Sequence, residues 1–189
     1  EFIAINTDKQ DLERSLTQSR VLLGEGTGAG ADPEKGKNEA KDSEEKIREV
    51  LKGTDMLFIT AGMGGGTGTG ASPIVAEVAR GMGILTVAVV TKPFEFEGPL
   101  KKSNAEMGIE NLRKHVDTLI AIPNEKLFEL PNISITLMNA FKEANSVLRV
   151  GIKGISDLIT KQGFVNLDFA DVKAIMQDSG MAMLGFGEA

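Results

Sequence analysis

Gly64-Gly65-Gly66-Thr67-Gly68-Thr69-Gly70 stands between two apolar stretches. The run before it, Met56-Leu57-Phe58-Ile59-Thr60-Ala61, predicts a buried parallel strand. The run after it, Pro73-Ile74-Val75-Ala76-Glu77-Val78-Ala79, predicts a helix over about 72–82 with proline in its first turn. The glycines therefore mark a strand-to-helix turn, where free amides and the positive end of the helix dipole face whatever lies above the sheet. Five glycines let the backbone approach a ligand, and two threonines add hydroxyls. A phosphate chain is the ligand such a surface fits. Two rival readings exist. A flexible linker is seldom wedged between a buried strand and an apolar helix. The dinucleotide fingerprint is met in its degenerate form by Gly66-Thr67-Gly68-Thr69-Gly70-Ala71, but that fold wants an acid at the end of the next strand. Here residues 84–91 end in Thr91-Lys92. No G-x-x-x-x-G-K-[ST] is present, which excludes the P-loop.

The chain has 189 residues, 21 basic and 27 acidic side chains and a net charge of -6. This suits one domain with a real core, and the acidic balance with few aromatics argues against a nucleic-acid partner. The absence of Cys rules out disulfides, zinc-thiolate sites and a cysteine nucleophile, and fits a cytoplasmic setting. A single His, His115, argues against a His-rich metal site or a His-based triad. No apolar run approaches the ~18 residues a membrane span requires, so direct membrane insertion is not expected. Residue 1 is Glu, and both termini lie in strand-like runs, so the chain reads as an internal fragment of a longer protein.

In chain order, residues 2–6 predict a strand, Asn6-Thr7-Asp8 a turn into a short helix, and residues 21–24 a second strand. A second glycine loop runs from Gly24 to Asp32-Pro33, which read as N-cap and N1 of a surface helix reaching Lys52. Taken alone, that loop is a plain capping turn. The strand, glycine loop, helix and strand over 56–91 form a βαβ unit with parallel pairing. A loop over 92–98 leads into a helix ending near His115. Glu97 and Lys101, four apart at its start, are at least an ordinary helical ion pair. Residues 118–123 predict a buried strand. Asn124 follows at its carboxyl end, where α/β sheets bind ligands. Residues 135–159 predict the longest helix, apolar on most sides and hence buried, roughly 35–40 Å long. There Phe141 reads as core and Asn145 as a surface residue. Asn166, Asp168 and Asp171 converge on one turn. Asp171 can simply cap the helix after it, yet the three together can also orient and polarise a water.

GGGTGTG at 64–70 is the signature loop of the tubulin/FtsZ superfamily of GTP-binding filament proteins, and its flanks resemble the bacterial branch. The resemblance covers nearly the whole chain and implies an α/β fold: a three-layer, mostly parallel, Rossmann-like GTPase domain with a long central helix after it. It implies a GTP-binding domain over 1–160 that includes the central helix at about 135–160, a catalytic acidic loop and helix over 161–180, and the first strand of a further domain over 181–189. It places Gly64, Gly65, Gly66, Thr67, Gly68, Thr69 and Gly70 on the phosphates, with Ala29 and Gly30 of the second glycine loop beside them. Glu97 and Lys101 would meet the sugar and phosphates, Lys101 standing where the family has Arg. Asn124 would contact guanine, Phe141 stack on it and Asn145 bond its edge. Asn166, Asp168 and Asp171 would complete hydrolysis. The implied ligands are GTP/GDP and Mg²⁺. The implied setting is the division site at mid-cell, where the protein polymerises head to tail and meets division-ring proteins through parts absent here. The family's first strand and glycine turn would precede Glu1, which should leave an unpaired sheet edge. The chain as given could alternatively bind guanine nucleotide weakly, or cap filaments, without catalysis.

About 15 helical residues separate Asn145 from the end of the long helix, on the order of 20 Å of rod. If Asn145 faces the base, the acidic loop can reach only a nucleotide on another chain. Such a heterologous contact builds an open filament. Catalysis would then be positioning plus electrostatics, with the amides of residues 68–70 holding the phosphates and Mg²⁺ offsetting their charge. No residue set in the chain offers all the ligands of Mg²⁺, which usually keeps waters and phosphate oxygens.

Overall fold

The run 85–92 is apolar on both sides because it lies mid-sheet. The structure, a computed structural model, describes residues 1–129, 136, 138–160 and 169–182, the side chains of 158–160 and 169 excepted. In order, β1 (Ile3–Asn6), α1 (Lys9–Glu13) and β2 (Ser19–Leu22) open the chain. They are followed by α2 (Pro33–Asp42), α3 (Glu44–Val50), β3 (Met56–Gly62), α4 (Gly66–Gly81), β4 (Leu85–Lys92) and α5 (Pro99–Arg113). β5 (Thr118–Pro123), α6 (Ala140–Thr160), α7 (Phe169–Met176) and β6 (Gly180–Met181) complete it. Every strand pair is parallel. The strands form one sheet of order β3-β4-β5-β6 and a separate pair β1-β2, so among the described residues the single expected sheet is two.

Alternation along β4 builds three layers. Ala88 and Val90 join Ile59 and Leu119 against Ile74, Val75, Val78 and Leu112 of α4 and α5. Val87 and Val89 face the opposite way and join Ile120 and Ile155, the last on α6. Val21 of β2 and Ala40 and Ile47 of α2 and α3 belong to the first of these cores, which ties the small sheet to the large one.

Four expectations are corrected. β3 is parallel as predicted but not buried: it sits at a sheet edge with Thr60 and Gly62 exposed. The helix expected from Asp32 to Lys52 has its cap, Asp32 Oδ1 accepting from Glu34 N–H at 2.9 Å, but breaks at Ser43. α4 begins at Gly66, so Pro73 lies inside the helix rather than in its first turn. The long helix begins at Ala140, not 135, after a turn in which Asn139 Oδ1 accepts from Thr136 N–H at 2.7 Å. Its 21 residues make roughly 31 Å of rod. It buries one face through Ala140, Ala144, Gly151 and Ile155 and leaves Val150 exposed, so it is not buried on most sides.

Candidate functional site

Register sets the strand ends level. Gly62 pairs with Thr91, Thr91 with Ile122, and Lys92 with Pro123, so β3, β4 and β5 finish side by side. Ligands bind at this edge of an open α/β sheet. A cleft of ≈ 260 Å³ opens there.

One wall is the glycine turn. Met63 N–H continues the ladder to Thr91 O at 2.9 Å. Gly64 turns the chain at φ 109°, a conformation other residues resist, and its N–H donates to Thr69 Oγ1 at 2.8 Å. Gly65 is the N-cap of α4 and makes no side-chain cap, so the amides of Gly65, Gly66, Thr67 and Gly68 have no acceptor within the helix. The amides of Thr69 and Gly70 lie one turn further in and are taken up by helical bonding. Of the amides expected at 68–70, only that of Gly68 is left without an acceptor within the helix. The hydroxyls are engaged too: Thr67 Oγ1 lies 2.6 Å from Thr7 Oγ1, and Thr69 Oγ1 holds Gly64.

The glycines do not all serve a ligand. A Cβ on Gly66 would stand 2.6 Å from Ala29 Cβ and 2.9 Å from Asp32 N; one on Gly68 would overlap Gly62 O, and one on Gly70 would overlap Pro33 O. Only at Gly65, among residues 64–70 that lack a Cβ, would it meet nothing within 4 Å. Gly66, Gly68 and Gly70 let α4 approach the loop before α2, β3 and α2, and Gly64, whose Cβ would stand 2.8 Å from Lys101 O, lets the turn approach α5. Ala29 is thereby buried beneath Gly66, with Gly30 exposed beside it.

The second wall comes from α5 and the turn before it. Glu97 Oε1 accepts from Phe94 N–H at 3.0 Å, and Glu97 Oε2 lies 2.9 Å from Lys101 Nζ. The Lys101 side chain is 44% exposed and its ammonium borders the cleft. The third wall is Asn124 with the first turns of α6. Asn124 is buried, and its Oδ1 has no hydrogen-bond partner among the described residues. A buried acceptor left unpaired costs about 1–3 kcal/mol, so bonding within the described chain does not account for the place of Asn124 in the cleft wall. Phe141 is half exposed and, with Ala144 and Asn145, faces the same space.

Six expected residues thus meet at one cleft: Gly65, Glu97, Lys101, Asn124, Phe141 and Asn145. Gly64, Thr69 and Gly70 support the turn from behind. Met63, Thr91 and Pro93 also line the cleft and were not singled out from the sequence. The strand-end rule that picked Asn124 applies equally to Thr91 and Pro93.

Asn166 and Asp168 lie outside the described residues. Asp171 is exposed in the first turn of α7. That helix ends at the far side of the sheet: Thr118 Oγ1 donates to Met176 O at 2.8 Å, and Gly180 N–H to Asp117 O at 3.0 Å. β6 pairs with the start of β5, while the cleft sits at its end. Six strand residues span roughly 17–20 Å, so the end of α7 and the cleft lie at opposite ends of β5. Among the described residues no three His, Asp or Glu side chains gather as a metal site, and no helix is long and apolar enough to cross a membrane.

The family model "Tubulin/FtsZ family, GTPase domain" matches residues 1–132. The cell division protein FtsZ of Coxiella burnetii is 56% identical over 191 residues, 99% of this chain and 50% of that protein. An empty FtsZ dimer from M. jannaschii superposes with a TM-score of 0.90 at 50% identity, over 95% of this chain and 53% of that one. CetZ from Methanosaeta thermophila superposes at 0.77 with 25% identity, over 96% of this chain and 52% of its own. The chain spans about half the length of the relatives it matches.

Proposed function

The chain belongs to the Tubulin/FtsZ family, within its GTPase domain, and from that premise we propose that it binds GTP in the cleft and belongs to a protein that hydrolyses it. The triphosphate lies on the amides of residues 65–68 with Lys101 beside it. The guanine lies between Phe141 and Asn124, with Asn145 at its edge. The observation that carries this reading is the unpartnered Oδ1 of buried Asn124. Asn124 lines the cleft two strands along from the glycine turn, and a small turn of its side chain would offer that acceptor to a base N–H.

Hydrolysis belongs to the junction between subunits. The helix that carries Asp171 is tied at its end to the start of β5, while the cleft lies at the end of β5, which supports the reading that Asn166, Asp168 and Asp171 act on a neighbour's nucleotide. Their work is to order and polarise the attacking water. Mg²⁺ would be held through phosphate oxygens and waters and would supply charge neutralisation there. Joining a cleft-bearing end to an acid-bearing end is a heterologous contact, which propagates head to tail. The relative from Coxiella burnetii is named a cell division protein, and we extend that role to this chain. The whole protein would then form a polymer at the bacterial division site, in the cytoplasm at mid-cell. Other division-ring proteins would be its partners.

The test is a titration of fluorescent GTP competed by GTP, ATP and NAD. Competition by GTP alone is expected. Competition by NAD alone overturns the guanine site.

A further inference from the structure

Phe94 is buried, whereas Phe96, Phe128 and Phe141 are each about half exposed. The four rings form one cluster. Phe94 and Phe96 stack, centroids 4.9 Å apart and planes 13° apart. Phe141 meets Phe94 at 5.7 Å and 89°, and Phe96 at 6.1 Å and 87°. A ring almost equidistant from two stacked rings lies beside the stack, not at its end. Phe128 meets Phe94 at 5.7 Å and 72°. Buried Phe94 thus joins three segments of the cleft: the turn holding Glu97, the short 3-10 helix of Asn124–Glu129, and the first turn of α6.

Phe94 and Phe96 do not line the cleft themselves, whereas Phe141 does. Resting on the guanine-site reading, we propose that Phe96, backed by Phe94, is a positioning residue that braces one flank of Phe141 and keeps the ring presented to the base. Phe141 is half exposed in the first turn of α6, and among the described rings Phe94 and Phe96 are the ones it meets. A ring fixed before binding loses less freedom on binding, which raises affinity without a new ligand contact. An edge-to-face pair is strong enough to shift affinity by roughly three- to tenfold.

The test is a double-mutant cycle on GTP affinity in the intact protein, with Phe96→Ala, Phe141→Ala and the pair. Phe96→Ala is expected to weaken GTP binding roughly three- to tenfold. Phe96→Tyr, which keeps the ring, should restore it. Once Phe141 is Ala, removing Phe96 should cost nothing further, because the brace has nothing to hold. Unchanged affinity in Phe96→Ala, or losses that simply add, overturns the proposal. If Phe141→Ala itself leaves GTP affinity unaltered, the guanine-site reading fails and the brace with it. If Phe141→Ala weakens binding and Phe96→Ala does not, the brace alone fails.

Discussion

The Cβ that Gly66 lacks would stand 2.6 Å from Cβ of Ala29. The two glycine loops are therefore packed on each other, and the first must be glycine here for reasons of contact rather than of ligand approach. Gly66→Val should push α4 away from the loop that precedes α2. Overpacking of this kind lowers stability by about 1–3 kcal/mol. GTP affinity should fall with it, since the amides of residues 65–68 move. Urea unfolding together with GTP titration checks both. Unchanged stability would mean the two loops can part freely, which this packing forbids.

Gly65 makes the opposite prediction. Its φ of -84° and ψ of 178° are open to any residue, and a Cβ there would meet nothing within 4 Å. Gly65→Ala should leave stability within about 0.5 kcal/mol, as an unobstructed surface substitution does. It should weaken GTP roughly tenfold by standing where the phosphates approach the amides. Full affinity in this variant would move the phosphates elsewhere.

These two glycines also show what was legible in the sequence. β5 emerged at its predicted bounds because a buried run between Asp117 and Asn124 leaves little freedom. The cap at Asp32 was equally plain. The start of α4 was not, because Gly and Thr are poor helix formers and read as a loop. What holds residues 66–70 helical is the close approach of α2, with Gly70 lying against Pro33 and Lys37. No local pattern reports such a contact. Phe141 and Asn145 likewise read as core and surface on the helix alone. Only folding brings them to Gly65, Glu97 and Asn124, so their joint role came from resemblance before it had a geometry.

Asn124→Ala should separate binding from stability. Its Oδ1 is buried without a partner, so removing it leaves no bond broken in the empty protein. Stability should stay level or rise, by less than about 1 kcal/mol. GTP affinity should drop by about tenfold or more, the worth of a hydrogen bond in a desolvated site. A loss of stability in step with affinity would make Asn124 a structural residue.

Lys101 pairs with Glu97 at 2.9 Å but is 44% exposed, and exposed helical pairs contribute only about 0.3–0.5 kcal/mol. Lys101→Ala should barely alter unfolding. It should weaken GTP several-fold at low salt, and the deficit should shrink as ionic strength rises. Lys101→Arg should bind at least as tightly, because a guanidinium can grip phosphate with two parallel bonds. Salt-independent affinity across all three proteins would remove Lys101 from the phosphate site.

Asp171 tests the subunit junction. It lies in the first turn of α7, whose last residue, Met176, accepts from Thr118 at the start of β5, while the cleft opens beyond Pro123. Asp171→Ala in the intact protein should abolish GTP turnover and leave GTP affinity unchanged. Mixing resolves whether the acid acts on its own nucleotide or a neighbour's. Asp171→Ala has a sound cleft and no acid; Asn124→Ala has a sound acid and a weakened cleft. Neither alone should turn over GTP at concentrations that fill only sound clefts. In an equimolar head-to-tail polymer about a quarter of junctions join a sound cleft to a sound acid, so turnover should reappear at about a quarter of the unsubstituted rate. Should the mixture stay inactive while it still polymerises, the acid serves the cleft of its own chain and the junction reading fails.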